Sequence, residues 1–148
     1  MKSYTIHLIR HAYTKGNLEG RYIGHTDESL CKEGIDQLNT MLKDYDYPKA
    51  DVVFSSTLKR CIETAKIIYP DKNPIEMRGF DECDFGEFEG HTADELKKYE
   101  EFSDWLAGGE DAKPLNGESN SEFATRVCDC FIKTVDGLIK TGTQSAAI

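Results

Sequence analysis

The sequence predicts an α/β fold, a three-layer α/β/α arrangement with a mainly parallel central sheet. Three observations carry that reading. Short apolar or β-branched runs alternate with segments of helical period, the signature of strand–helix–strand units around a parallel sheet. The first run, Tyr4 to Ile9, delivers Arg10 and His11 side by side into a polar, small-residue turn, and in open α/β sheets ligands sit outside the carboxyl ends of the strands. The chain has 148 residues, of which 39% are hydrophobic and 30% charged, enough for one domain with a real core.

Taken in order, Tyr4 to Ile9 reads as a buried strand. Residues 11 to 30 follow as a long polar loop containing Gly16, Gly20 and Gly24. A helix is expected from about Lys32 to Leu42, with Ile35, Leu38 and Leu42 on one face. Asp51 to Phe54 is a short strand. Ser55 and Ser56 then offer N-caps to a helix in which Leu58, Cys61, Ile62, Ala65 and Ile68 recur at helical spacing, ended by Tyr69-Pro70. Asn73 to Met77 is a weaker strand. A helix from about Ala93 to Leu106 carries Leu96, Tyr99 and Trp105, and Gly108-Gly109 breaks it. The last helix, about Ser121 to Lys140, is opened by Ser119 or Asn120 and bears Phe123, Val127, Phe131 and Val135. Thr143 to Ile148 reads as the opening of a further strand.

Composition removes several functional classes. The net charge of −9 disfavours nucleic acid and anionic membrane as partners. No stretch approaches the roughly 18 apolar residues of a membrane span, and the start of the chain lacks a signal-peptide pattern. The five cysteines, Cys31, Cys61, Cys83, Cys128 and Cys130, form no disulfide framework and read as reduced thiols of a cytoplasmic protein. Cys128 and Cys130 do not make a zinc knuckle, because positions i and i+2 of a helix do not face each other. His7 and His11 are about 13 Å apart on a strand, too far for one ion. The acidic residues form no calcium-loop pattern. No metal or cofactor is therefore expected.

The chemistry begins at Arg10-His11. A guanidinium is a planar, permanent fork for phosphate, and a neutral imidazole can attack phosphorus. The pair points to phosphoryl transfer through a phosphohistidine. Arg60 stands in the first turn of a predicted helix, where the macrodipole disfavours a cation unless an anion sits close. The plain alternative is a surface arginine paired with Glu63. The run FDECDFGEFEG, residues 80 to 90, offers a carboxylic acid that can protonate a departing alcohol.

With YTIHLIRHAYTKGN (4 to 17), NLEGRYIGHTDESLCKEG (17 to 34), SSTLKRCIETA (55 to 65) and NGES (116 to 119) in the same order, this run makes the chain resemble the histidine phosphatase superfamily, also called phosphoglycerate mutase-like. The spacing is more similar to the small bacterial α-ribazole phosphatase-type members than to the glycolytic mutases, which carry longer insertions between the positions matching Arg60 and Glu118. The resemblance implies His11 as nucleophile and Glu82 as the acid, chosen over Asp81, Asp84, Glu87 and Glu89 by its place before Phe85-Gly86. It implies Arg10 and Arg60 as phosphate clamps, with Asn17 and Thr14 as hydrogen-bond donors to phosphate. Arg21, Tyr22 and His25 are expected as walls of the substrate cleft, and Glu118 either orients the site or opens the last helix. His91 reads as a helix-entry residue. Ala12 and Tyr13 stand where the family usually has Gly and Glu, so a slight shift of that turn is expected.

The implied function is metal-independent hydrolysis of small phosphate monoesters, with a small phosphorylated metabolite as partner. Mutase-type transfer and a non-catalytic module that binds phosphorylated ligands are the alternatives. The whole chain, 1–148, reads as one domain of this kind, incomplete at its C-terminal side. The family places a second catalytic histidine after the next strand, and none of His7, His11, His25 and His91 occupies that place. The shortened strand is expected to leave the first strand with unpaired backbone groups and to weaken both stability and turnover.

Overall fold

The structure, a computed structural model, describes residues 2–148. Strands β1 (Thr5–His7), β2 (Val52–Ser55), β3 (Ile75–Glu76) and β4 (Ser145–Ala147) form one sheet in the order β1-β4-β2-β3. Every pairing is parallel. Helices α1 (Lys15–Leu18), α2 (Lys32–Asp44), α3 (Lys59–Ile68), α4 (Ala93–Leu96), α5 (Glu100–Ala107) and α6 (Asn120–Thr141) make the connections, which is the α/β architecture that the alternating pattern predicts.

Residues 143–148 supply β4, which lies inside the sheet between β1 and β2. The expectation of an unpaired β1 on that side is overturned. Thr5 N donates to Gln144 O at 2.8 Å, Ile148 N to His7 O at 2.9 Å and Ile9 N to Ile148 O at 2.8 Å. Ala146 and Ala147 are small enough to be enclosed completely at this position. β1 itself is an edge strand rather than a buried one, and Leu8 is 75% exposed.

Two apolar clusters organise the rest. Ala50, Val53 and Ala147 pack beneath Ile9 and beneath Ala65 and Tyr69 at the end of α3. The second cluster is aromatic: Phe88, Leu96 and Phe102, flanked by Tyr22, Phe85 and Trp105. Its rings meet mostly edge to face at 5.2–6.2 Å, the arrangement that a ring quadrupole favours. This cluster explains why the expected 93–106 helix is two helices. Tyr99 adopts an extended conformation as N-cap of α5, re-aiming the chain so that Phe102 and Trp105 reach Phe88. Tyr99 is left 51% exposed, contrary to the helical-stripe reading.

α3 starts later than the serine caps predicted. Its N-cap is Leu58, with no side-chain cap bond, while Ser56 Oγ accepts from Leu58 N at 3.3 Å. The buried stripe of α6 is Cys130, Thr134 and Leu138, and the expected Phe123, Val127, Phe131 and Val135 are only half-buried. The physical reason lies at Gly79. Cys130 occupies the space that a side chain there would need, so the helix rotates to seat Cys130 against the 3₁₀ turn Arg78–Phe80. Thr134 tolerates burial because its hydroxyl donates to Cys130 O at 2.9 Å. Val127 and Phe131 instead line an apolar cavity of about 450 Å³, shared with Cys61, Ala65 and Ile68 of α3. All five cysteines are free thiols.

Ser119 opens α6 with a full capping box: its hydroxyl accepts from Glu122 N, and Glu122 accepts from Ser119 N. Ser119→Ala removes one partner of an otherwise unsatisfied helix N–H and is expected to cost about 1 kcal/mol. A urea-unfolding midpoint measures the loss. No change would mean that Glu122 alone holds the helix start.

Candidate active site

His11 follows β1, Arg60 opens the helix after β2, and Glu82 follows β3, so the loops leaving three strands deliver them to one end of the sheet. Their proximity is electrostatic as well as topological. Burial pushes the His11 imidazole below its ordinary pKa, opposed by its bond to Ala12 O. The positive charges of Arg60 and Arg10 lower it further, and Glu82 pulls it up. The net shift favours the neutral imidazole. Its Nδ1 lies 2.7 Å from Ala12 O. A carbonyl can only accept, so Nδ1 carries the proton and Nε2 keeps its lone pair.

The turn after His11 is tied to α3. Ala12 N donates to Thr64 Oγ1 at 3.0 Å, and that hydroxyl donates to Arg60 O at 2.7 Å. Ala12 is not strained, since Asn116 is the only non-glycine with positive φ among the described residues. Glycine's freedom is therefore not needed here, and the expected shift of the turn has no backbone cause. Tyr13 O is fixed in turn by Cys31 N at 3.0 Å.

Arg60 is 1% exposed and does not pair with Glu63, whose carboxylate accepts from Leu30 N. Its Nη2 donates to Gly24 O at 2.8 Å and its Nη1 to Thr26 O at 3.0 Å. Its buried Nε has no hydrogen-bond partner among the described residues. The backbone N–H groups of the same loop go to Glu89. Gly24 N, His25 N, Thr26 N and Thr26 Oγ1 all donate to that carboxylate, joined by Phe85 N, at 2.6–3.2 Å. Burial works against the Glu89 charge, but these donors outweigh it and hold its pKa below the ordinary value. Gly24 is required at this spot because a Cβ would run into the Cys83 carbonyl.

Glu82 is half-buried, and its Oε1 accepts from the adjacent Cys83 N at 2.9 Å. The backbone around it is held by Arg126, which donates to Gly79 O, Asp81 O and Glu82 O at 2.9–3.2 Å. Glu118 grips the same guanidinium at 2.9 and 2.7 Å, so it orients the loop rather than opening the helix. Asp81 is buried and accepts from Thr57 N and Thr57 Oγ1, joining this loop to the start of α3. Arg126 and Thr64 escaped the sequence reading, and Asp81 and Glu89 entered it only as rivals to Glu82 for the role of acid.

Two of the expected donors have other partners. Thr14 is 0% exposed and is the N-cap of α1. Its Oγ1 accepts from Asn17 N, and Asn17 Oδ1 accepts from Thr14 N. Thr14 thus acts by capping and is out of a ligand's reach, while the Asn17 amide nitrogen stays unengaged among the described residues. Arg21 and Tyr22, expected as cleft walls, fasten their loop instead. Arg21 binds Glu19 at 2.6 Å, Gly90 O at 2.7 Å and Glu95 at 3.2 Å, and the Tyr22 ring belongs to the aromatic cluster. His25 Nδ1 lies 3.3 Å from Asp84. Arg10 is exposed and makes no ion pair among the described residues. It borders with His11 a small pocket of about 210 Å³ that Tyr13 and Gln37 also line.

The chain is similar to known proteins of one superfamily. The model of the histidine phosphatase superfamily (branch 1) matches residues 6–138. The adenosylcobalamin/alpha-ribazole phosphatase of Escherichia coli K12 is 34% identical over 127 residues, covering 81% of this chain and 61% of that protein. The chain thus spans about three fifths of the length of that curated relative. A 2,3-bisphosphoglycerate-dependent phosphoglycerate mutase of Methylobacterium radiotolerans is 28% identical, with 93% of this chain and 69% of that one covered. The crystal structure of the alpha-ribazole phosphatase from Shigella flexneri superposes with a TM-score of 0.84 at 29% identity, covering 97% of this chain and 71% of that one.

His11 gives a direct measurement. Its folded pKa lies below the ordinary 6.5, so the associated stability is fully present above about 6.5 and is lost as pH falls through the folded value. NMR titration of the imidazole should place the midpoint below 6.5, and Arg10→Gln should move it up with a stability change within about 0.5 kcal/mol. An unmoved midpoint in that variant would remove Arg10 from the electrostatics of His11.

Proposed function

The chain belongs to the histidine phosphatase superfamily, and from that premise we propose that it hydrolyses small phosphate monoesters through a phosphohistidine on His11, without a metal. The observation that carries the reading is a neutral His11 with its proton fixed on Nδ1 by Ala12 O, within reach of two arginine charges. In the proposed reaction Nε2 forms a bond to phosphorus. The phosphorus–oxygen ester bond breaks, its electron pair leaves with the alcohol oxygen, and Glu82 supplies the proton that completes the alcohol. Water then attacks the phosphohistidine, Glu82 takes its proton, the nitrogen–phosphorus bond breaks and inorganic phosphate departs.

Arg60 and Arg10 serve this scheme by neutralising the equatorial phosphoryl oxygens, which carry most of the charge in a loose transition state. The Arg60 Nε is buried without a hydrogen-bond partner among the described residues, so the contribution read for Arg60 is its charge. The Asn17 amide adds a hydrogen-bond donor to the scheme. The site is read as part of one domain of a cytoplasmic enzyme acting on a small phosphorylated metabolite.

Rapid quench after mixing with a labelled aryl phosphate in EDTA should trap an acid-labile, base-stable phosphoprotein that His11→Ala lacks. Label retained by the variant would move the nucleophile elsewhere, and recovery of turnover only on adding magnesium or zinc would defeat the metal-free scheme. Delivery of the label to 3-phosphoglycerate rather than to water would replace hydrolysis by mutase-type transfer.

Glu82→Gln separates the acid from the nucleophile. Loss of general acid catalysis should lower kcat by roughly 10²–10⁴-fold on an alkyl phosphate, and much less on p-nitrophenyl phosphate, whose leaving group needs no proton. Equal losses on both substrates would give Glu82 a role other than proton donor.

A further inference from the structure

We propose that Glu89 is the positioning residue for Arg60. The Gly24–Thr26 loop is a two-sided bracket whose N–H groups are gathered by the Glu89 carboxylate and whose carbonyls hold the Arg60 guanidinium beside His11. The inference rests on the phosphate-binding role read for Arg60. It assigns a function to a carboxylate that makes no contact with His11 or Arg60 among the described hydrogen bonds.

Two independent sets of distances support it. On one side, five donors converge on a single carboxylate: Gly24 N at 3.0 Å, His25 N at 2.9 Å, Thr26 N at 3.2 Å, Thr26 Oγ1 at 2.6 Å and Phe85 N at 3.0 Å. Only an ionised carboxylate is acceptor-only with room for that number. A glutamine amide would turn two donors toward N–H groups. On the other side, the carbonyls of Gly24 and Thr26 are the only hydrogen-bond partners of the Arg60 guanidinium among the described residues. Peptide planarity links the two sets. The Gly24 carbonyl and the His25 N–H belong to one peptide unit, so fixing the N–H on Glu89 aims the carbonyl at Arg60. Phe85 N extends the bracket to the segment that carries Glu82, so one carboxylate sets the spacing between the Arg60 loop and the Glu82 loop.

Arg60 itself cannot choose among positions. It is buried, has no carboxylate partner, and leaves Nε without an acceptor. The hydrogen bonds that aim its guanidinium are those to the two carbonyls. Thr26 and Gly24 are therefore parts of the device rather than loop filler, and Gly24 must stay a glycine for the loop to lie against Cys83.

The test compares Glu89→Gln, Arg60→Lys and the double variant with the unaltered chain. Inorganic phosphate binding and the His11 imidazole midpoint serve as readouts, and neither needs turnover. Glu89→Gln should weaken phosphate binding at least tenfold and raise the His11 midpoint, because a loosened Arg60 no longer depresses it. In the Arg60→Lys background, Glu89→Gln should add little to either loss, since residues acting through one another are non-additive. Glu89→Asp, which keeps the charge, should recover part of the binding. If Glu89→Gln does not fold, Thr26→Ala removes a single donor from the same carboxylate and should shift both readouts in the same direction by a smaller amount. A folded Glu89→Gln with unchanged phosphate affinity and His11 midpoint overturns the proposal, as do additive effects in the double variant or a silent Thr26→Ala. An unaltered chain that binds phosphate but turns over no monoester would count against the hydrolytic reading alone and leave the bracket standing.

Discussion

A buried guanidinium with no carboxylate beside it is the constraint on which this structure turns. Moving a charge out of water is costly unless paired groups replace its hydration. Arg60 receives backbone dipoles instead of a counter-charge, two carbonyls from one loop, and keeps its positive charge uncompensated. A loop that presents carbonyls inward on both sides of His25 must dispose of its N–H groups elsewhere, and Glu89 collects them. The loop must also lie flat against the Phe85 segment, which excludes any side chain at Gly24. The aromatic cluster under that segment, with Tyr22 inserted from the loop's own start, supplies the rigid surface on which the bracket rests. Burial of one cation thus dictates a glycine, a carboxylate and a cluster of rings distant in sequence.

The opposite side of the site is also built by a guanidinium that gathers carbonyls. The segment 79–82 has no regular ladder to satisfy its carbonyls, so Arg126 reaches across from α6 and takes three of them. Glu118 neutralises that guanidinium, and this pair needs no further anion. The contrast matters for chemistry. Both arginines hold loops through carbonyls, but of the two Arg60 alone has no carboxylate partner among the described residues and Arg60, with Arg10, lowers the pKa of His11. The structure separates a scaffolding cation from one whose charge remains available.

Much of this was legible in the sequence and some of it could not be. Short apolar or β-branched runs located all four strands and helical spacing located α2, α3 and α6, because such patterns are a local property of the chain. Arg10-His11 and Arg60 were legible because a strand end or helix start places them. Thr14 was read as a ligand donor, yet Thr14-x-x-Asn17 makes a reciprocal cap bond set like that of a capping box, a signal that was present and passed over. Glu89 and Arg126 had no comparable signature. A carboxylate that gathers N–H groups 63 to 65 positions away looks in sequence like one more acid in FDECDFGEFEG. The break at Lys97–Tyr99 and the rotation of α6 failed for a related reason. Both follow from contacts with a distant partner, Phe88 in one case and Gly79 in the other, that helical periodicity does not encode.

The nucleophile's protonation state follows from backbone rather than from a partner side chain. Residue 12 uses its N–H on Thr64 and its carbonyl on His11, and residue 13 uses its carbonyl on the N-cap of α2. None of these bonds involves the side chain at position 12 or 13. Any residue except proline that adopts an unstrained negative φ at 12 preserves them, so alanine can stand where the family usually has glycine. Tyr13, 43% exposed, likewise sits outside the machinery that sets the tautomer. The variable side chains after His11 face solvent and the small pocket beside Arg10, whereas the invariant chemistry of the peptide group fixes Nδ1–H. Departures from the family pattern in this turn therefore alter what surrounds a ligand and leave the attacking nitrogen as it is.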